Sequence, residues 1–174
     1  MKKVAVFGKP GGGKSTLSKT LSQVTGLPLF QLDRIEYSEG GIRVSEEVYI
    51  QRHQEILDGN NWIIDGLGSI ESFRQRIAAA DTLVFIDLPL LLHFWWVTKR
   101  LIKSPFIHPE GWPKGSPILR STFTSWVNLY YAHKLWTPEF RQKIENLSSS
   151  KNVYILQSPR DIRLLIQELN VGNG

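Results

Sequence analysis

Within eight residues, Gly8-Lys9-Pro10-Gly11-Gly12-Gly13-Lys14-Ser15, the chain sets four glycines around two lysines and ends on a hydroxyl. Every fixed position of the pattern G-x-x-x-x-G-K-[ST] is filled. Glycines let a backbone curl until successive N–H groups point inward, which makes a nest for phosphate oxygens. A helix opening at the end of such a loop adds its unpaired first-turn N–H groups, here at Lys14, Ser15 and Thr16, and the positive end of its dipole. Lys14 can then reach β- and γ-phosphates, and the Ser15 hydroxyl is placed to ligate Mg²⁺. The loop as a whole, Gly8 to Thr16, implies a nucleoside triphosphate held with Mg²⁺.

Three carboxylates follow short apolar runs and could join that chemistry. Asp65 closes Asn61-Trp62-Ile63-Ile64-Asp65-Gly66, and Asp87 closes Leu83-Val84-Phe85-Ile86-Asp87. In an open α/β sheet ligands gather outside the carboxyl ends of the strands. An Asp in that position can hold Mg²⁺ through its water shell, which makes Asp65 the expected second metal residue beside Ser15. Asp33, in Phe30-Gln31-Leu32-Asp33-Arg34, reads as the end of another strand facing the same crevice. It could take a proton from an acceptor hydroxyl, with Arg34 available to an anionic acceptor. Each of these acids also has a plainer reading, as a strand-end turn residue or a surface ion pair.

These groups need a scaffold that brings strand ends together. The pattern predicts strands over Lys3–Phe7, Leu29–Leu32, Trp62–Ile64, Thr82–Asp87 and Val153–Leu156. Thr82–Asp87 is nearly continuous in apolar residues, as a strand buried on both faces should be. Helices are predicted over Ser45–Leu57, Ser69–Ala80, Leu90–Lys103, Ile118–Trp136, Pro138–Leu147 and Pro159–Leu169, with another carrying Leu17, Leu21 and Val24 on one face. Strands alternating with helices imply a three-layer α/β domain with a mostly parallel sheet. The stretch Ser104–Pro117, with four prolines and two glycines, is the longest expected loop and a candidate lid.

Composition bounds the remaining possibilities. The 174 residues are 41% hydrophobic and 21% charged, which suits one globular domain spanning 1–174. Cysteine is absent, so disulfides, thiolate catalysis and Cys-based metal sites are excluded. His53, His93, His108 and His133 show no zinc-ligand spacing. The apolar stretch Thr82–Val97 is interrupted by Asp87, Pro89 and His93, so no membrane span is expected and a soluble, cytoplasmic protein is.

The formal charge is +5, and the segment Trp95–Lys143 alone carries eight basic and two acidic residues with five of the six tryptophans. A basic, aromatic block of this kind seeks an anionic partner. The faces of Phe123, Trp126 and Tyr130 read better as packing than as a base-stacking platform, so nucleic acid is not the expected ligand.

Taken with Leu32-Asp33, Trp62-Ile63-Ile64-Asp65-Gly66, Ala80 to Pro89 and Ser158-Pro159-Arg160-Asp161-Ile162, the loop makes the chain resemble an adenylate-kinase-like P-loop protein. More narrowly it resembles the bacterial adenylate-kinase-related group called topology modulation or FlaR-like proteins. The resemblance implies the P-loop NTPase fold, a five-stranded parallel sheet in the order 2-3-1-4-5, and a helical lid-like insertion over about 99–120. It also implies that Gln157 to Arg160, with Pro159 and Arg160 foremost, packs on the adenine. Lid cations, Arg100 first and then Arg120 and Lys99, would clamp the transferring phosphoryl group. The departure lies on the acceptor side. Adenylate kinases carry Asp-Gly-Phe-Pro-Arg, whereas here Leu67-Gly68-Ser69 follows Asp65-Gly66 and the nearest arginines are Arg74 and Arg76.

The expectation is therefore a Mg²⁺–ATP-dependent phosphotransferase acting on a small acceptor. Lys14, Asp33, Arg100 and Arg120 would be its catalytic groups. The alternative is an ATP-binding regulator with slow hydrolysis and no dedicated acceptor, conceivably DNA-associated. Tryptophan-rich helices make a homodimer a candidate arrangement.

Overall fold

The computed structural model describes residues 1–38, 41–103, 127, 129–131 and 134–172. Five parallel strands, β1 (Lys3–Gly8), β2 (Leu29–Gln31), β3 (Trp62–Asp65), β4 (Thr82–Ile86) and β5 (Asn152–Leu156), lie in the order β2-β3-β1-β4-β5. The expected sheet order is thus the one observed. Seven helices are described around it: α1 (Lys14–Thr25), α2 (Leu32–Glu36), α3 (Glu46–Asp58), α4 (Ile70–Ala79), α5 (Leu90–Lys103), α6 (Pro138–Glu145) and α7 (Pro159–Gly172).

The alternation of side chains along the strands splits the core into two layers. Ala5 and Phe7 of β1, Trp62 and Ile64 of β3, and Leu83 and Phe85 of β4 face one side, with Tyr49 and Leu57 of α3 and Ile144 of α6. Val4 and Val6, Ile63, and Val84 and Ile86 face the other, against Leu17 and Leu21 of α1 and Leu165 of α7. Trp136 belongs to the first layer, stacked on Phe85 with ring centroids 5.3 Å apart. Three of these helices, α3, α4 and α6, begin at side-chain caps. Ser45 accepts from Val48 N–H, Ser69 from Ser72 N–H, and Thr137 from Phe140 N–H with Pro138 in the first turn.

Several boundaries differ from the sequence-based expectation: β1 runs on to Gly8, β4 stops at Ile86 so that Asp87 lies beyond it, and α6 stops at Glu145. The second strand ends at Gln31, and Leu32 and Asp33 open the short helix α2. Leu32 is apolar because it is buried against the first core layer, which extends the run beyond the strand. The helix expected to reach Trp136 does not: Lys134 to Trp136 form a 3₁₀ turn and bend ahead of the Thr137 cap. Of the aromatics expected on one packed face of it, Tyr130 is exposed, and its neighbour Leu129 is the residue fully buried. Phe123 and Trp126, the expected loop Ser104–Pro117 and most of the lid-like segment 99–120 lie outside the described residues. Among the described residues no helix is long and apolar enough to cross a membrane.

Candidate active site

The loop from β1 to α1 sits at the carboxyl edge of the sheet. The chain leaving β1 turns toward β2 and β3 while that leaving β4 turns toward β5, so a crevice opens there. Gly13 caps α1 in the left-handed region (φ 76°) and offers no side chain to its first-turn N–H groups. The absence of a side-chain cap at this helix start is what an anion site requires. Lys14 Nζ reaches back over the loop to the Lys9 carbonyl at 2.9 Å. Helix α5 closes the loop from outside. A Cβ on Gly11 would lie 2.4 Å from Val97, one on Gly12 2.8 Å from the His93 ring, and one on Gly13 3.4 Å from Trp96. The glycines therefore serve close helix packing as well as the curl of the loop.

Asp65 is the last residue of β3, opposite Val6 of β1 and Gln31 of β2. It is buried, and burial pushes its carboxyl above the usual range. Lys14, a hydrogen bond from the Ser15 hydroxyl, and Arg76 pull it down, while Asp33 adds to the upward push. Its Oδ1 has no hydrogen-bond partner. A buried, orphaned carboxylate oxygen beside a serine hydroxyl is the oxygen-donor pair a hard cation takes, so Ser15 and Asp65 fit Mg²⁺.

Asp33 lies in the first turn of α2 rather than at a strand end, exposed, and close enough to act on the Asp65 carboxyl. Arg34 beside it is also exposed. Arg76, an acceptor-side arginine by sequence position, is buried and folds back under the turn after β3. Its Nη2 donates to the Gly66 carbonyl at 3.2 Å and to the Leu67 carbonyl. Desolvation brings its guanidinium down to about 10. His53, stacked on Tyr49, feels the same burial and the Arg76 charge, and its imidazole falls to about 4. Arg74 stands exposed on α4 near Glu71.

Asp87, just beyond β4, is buried and held from two sides, by the Lys9 ammonium and by Arg141, whose Nε donates to Oδ2 at 2.8 Å. Lys9 is thus turned toward Asp87, and it meets the loop's interior through its carbonyl, the acceptor of Lys14. Arg141 of α6 escaped the sequence reading. The available signal was a strand-end acid needing a counter-charge and a basic segment downstream able to supply one. Lys99 is exposed on α5; Arg100 lies in the same helix; Arg120 lies outside the described residues.

The loop after β5 is built by a reciprocal cap: Asp161 accepts from the N–H groups of Gln157 and Ser158 (2.9 and 2.8 Å), and Ser158 Oγ accepts from Asp161 N–H at 3.2 Å. Pro159 opens α7 and Arg160 is exposed beside it.

No protein-family model matches the chain. A shikimate kinase of Rhodococcus jostii (strain RHA1) is 31% identical over 100 residues, 49% of this chain. The chain spans about three-fifths (59%) of that relative's length. Among solved structures, a shikimate kinase from Acinetobacter baumannii in complex with shikimate is similar with a TM-score of 0.55 at 17% identity, over 97% of this chain and 90% of that one. A presumed kinase from Chloroflexus aurantiacus gives 0.52 at 17% identity, over 97% and 96%. The fold of this chain is that of the P-loop kinases.

Proposed function

We propose that the chain is a Mg²⁺–ATP-dependent phosphotransferase acting on a small hydroxyl-bearing acceptor. The observation that carries this reading is the cluster on Asp65. Donor-side groups Lys14 and Ser15 and the acceptor-side Asp33 all act on one buried carboxyl at the carboxyl edge of the sheet. In this reading the loop N–H groups and Lys14 hold the β- and γ-phosphates, Ser15 binds Mg²⁺ directly and Asp65 does so through water. The ion supplies charge neutralisation of the phosphate oxygens. Asp33 orients the acceptor hydroxyl and receives its proton, while Arg100 and Arg120 are the proposed lid cations. Gln157 to Arg160 would line the adenine, and the ordered sequence blocks support a place near the topology modulation (FlaR-like) proteins.

Arg76 bears on acceptor class. Buried, with Nη2 on the carbonyls of Gly66 and Leu67, it is not presented at the surface to an acceptor phosphate. This supports an acceptor recognised by its hydroxyl and by exposed groups such as Arg34, and the names of the similar kinases add hydroxy acids of the shikimate type to nucleosides as the first classes to try. The same fact favours the second reading, an ATP-binding regulator that hydrolyses slowly.

The test is ADP release from Mg²⁺–ATP with pooled acceptors, using Lys14→Ala as the blank. Stimulation by a pool, reduced about 10²-fold or more by Asp33→Asn, is the expected result. Slow release that no pool stimulates, yet lost in the blank, would replace the kinase by the regulator. Transfer unchanged in Asp33→Asn would remove the base role.

A further inference from the structure

His93 has no place in the proposed chemistry, yet it is fully buried against the phosphate loop. It lies on α5, one turn before Trp96 and Val97, and its ring packs over Gly12. Its Nδ1 is 2.8 Å from the Pro10 carbonyl. A carbonyl only accepts, so Nδ1 carries the proton, and in the neutral ring Nε2 is bare. That Nε2 is buried without a partner. The Leu88 carbonyl is also close enough to the ring to favour its cation. The Pro10 carbonyl is thus the ring's hydrogen-bond partner, and Nε2 faces none among the described residues.

Burial is the main reason the ring stays neutral, and it brings the imidazole down to about 4; Lys9 and Lys14, facing it from the loop and the start of α1, add to the effect. Asp87, beyond β4, is the acid nearest in the chain, and its two oxygens are engaged by Lys9 and Arg141. A polyphosphate in the loop would add several negative charges next to Lys14 and offset the repulsion. Burial would still oppose the cation, with its Nδ1–H held by the Pro10 carbonyl.

We propose that His93 is the positioning residue of the phosphate loop, fixing it through the Pro10 carbonyl, and that its ring takes a proton from solvent when the loop is filled by nucleotide phosphate. The proposal rests on the reading of this loop as a nucleotide site. Its functional content is a link between pH and nucleotide affinity. A ring more basic in the complex favours binding as pH falls from its bound pKa toward its free value.

The experiment is calorimetry of ADP binding in EDTA at pH 5.5, in two buffers of different ionisation enthalpy. The full chain is compared with His93→Asn, whose amide can keep the bond to Pro10, and with His93→Leu, which cannot. Wild type is expected to take up more protons per ADP than His93→Asn, by a clear fraction of one and up to about one. The affinity of His93→Leu at pH 7.5 should fall roughly tenfold, on the order of one lost buried hydrogen bond, with His93→Asn restoring most of it. Imidazole NMR on the wild type, assigned by triple resonance, reads the same event directly and decides it even if a variant fails to fold. The His93 signals should titrate at higher pH with ADP than without. Equal proton counts in wild type and His93→Asn, or an NMR titration unmoved by ADP, would overturn the inference and leave the nucleotide reading standing. No ADP binding to wild type would overturn both.

Discussion

Replacing Asp87 by Asn should cost more than any other single change among the polar residues described here. The substitution keeps shape and removes one charge from between two cations. The Lys9 side chain is 11% exposed and that of Asp87 5%, so Lys9 would be left as a buried ammonium with its counter-ion gone. Breaking such a pair from one side costs about 3–5 kcal/mol. Arg141, 39% exposed, can turn to water and adds no more than about 1 kcal/mol. For a chain of this size each kcal/mol moves Tm by roughly 2–4 °C, so a fall on the order of 10 °C is expected. Urea unfolding of wild type, Asp87→Asn, Lys9→Met and the double variant supplies the assay. Lys9→Met should cost less than Asp87→Asn, because Arg141 still neutralises the carboxylate. The double variant should recover about 2 kcal/mol relative to the sum of the single changes. A loss below about 1 kcal/mol in Asp87→Asn, or strict additivity, would refute the argument that this acid holds the loop lysine and α6 together.

Two further outcomes follow from burial. His53 is held at about 4 against an ordinary value of 6.5, so the unfolded chain binds the extra proton. The stability it contributes is complete above pH 6.5 and lost as pH falls toward 4, roughly 3 kcal/mol in all. Denaturant curves at pH 7 and 4.5 should show His53→Leu losing less on acidification than wild type does; equal losses would count against it. Trp136→Ala removes a ring stacked on Phe7 and Phe85 and edge-on to Phe140, and should cost about 3–5 kcal/mol by the same curves.

What could be read from sequence is what the chain encodes locally. The loop is eight consecutive residues whose types are dictated by phosphate and by helix start, and Trp62–Ile64 of β3 and Leu83–Ile86 of β4 are continuously apolar because both faces are covered. The end of β2 was illegible because Leu32, the first residue of α2, is apolar for a tertiary reason, burial in the first core layer, and periodicity over four residues cannot tell that from a strand. His93 and Arg141 act across 83 and 54 positions, and no spacing rule links a histidine in an apolar helix to a carbonyl in the loop of β1. Arg76 was visible as an arginine, but its burial under Gly66 and Leu67 depends on the turn that α4 makes against β3.

The stacking of Trp96 over Gly13 has an optical consequence. The ring borders the loop that a polyphosphate would fill, whereas Trp62 and Trp136 lie in the core and Trp95 faces solvent. A protein keeping Trp96 as its sole indole would carry its own fluorophore at the loop. Its emission would report loop occupancy directly, without a labelled nucleotide or a coupled enzyme.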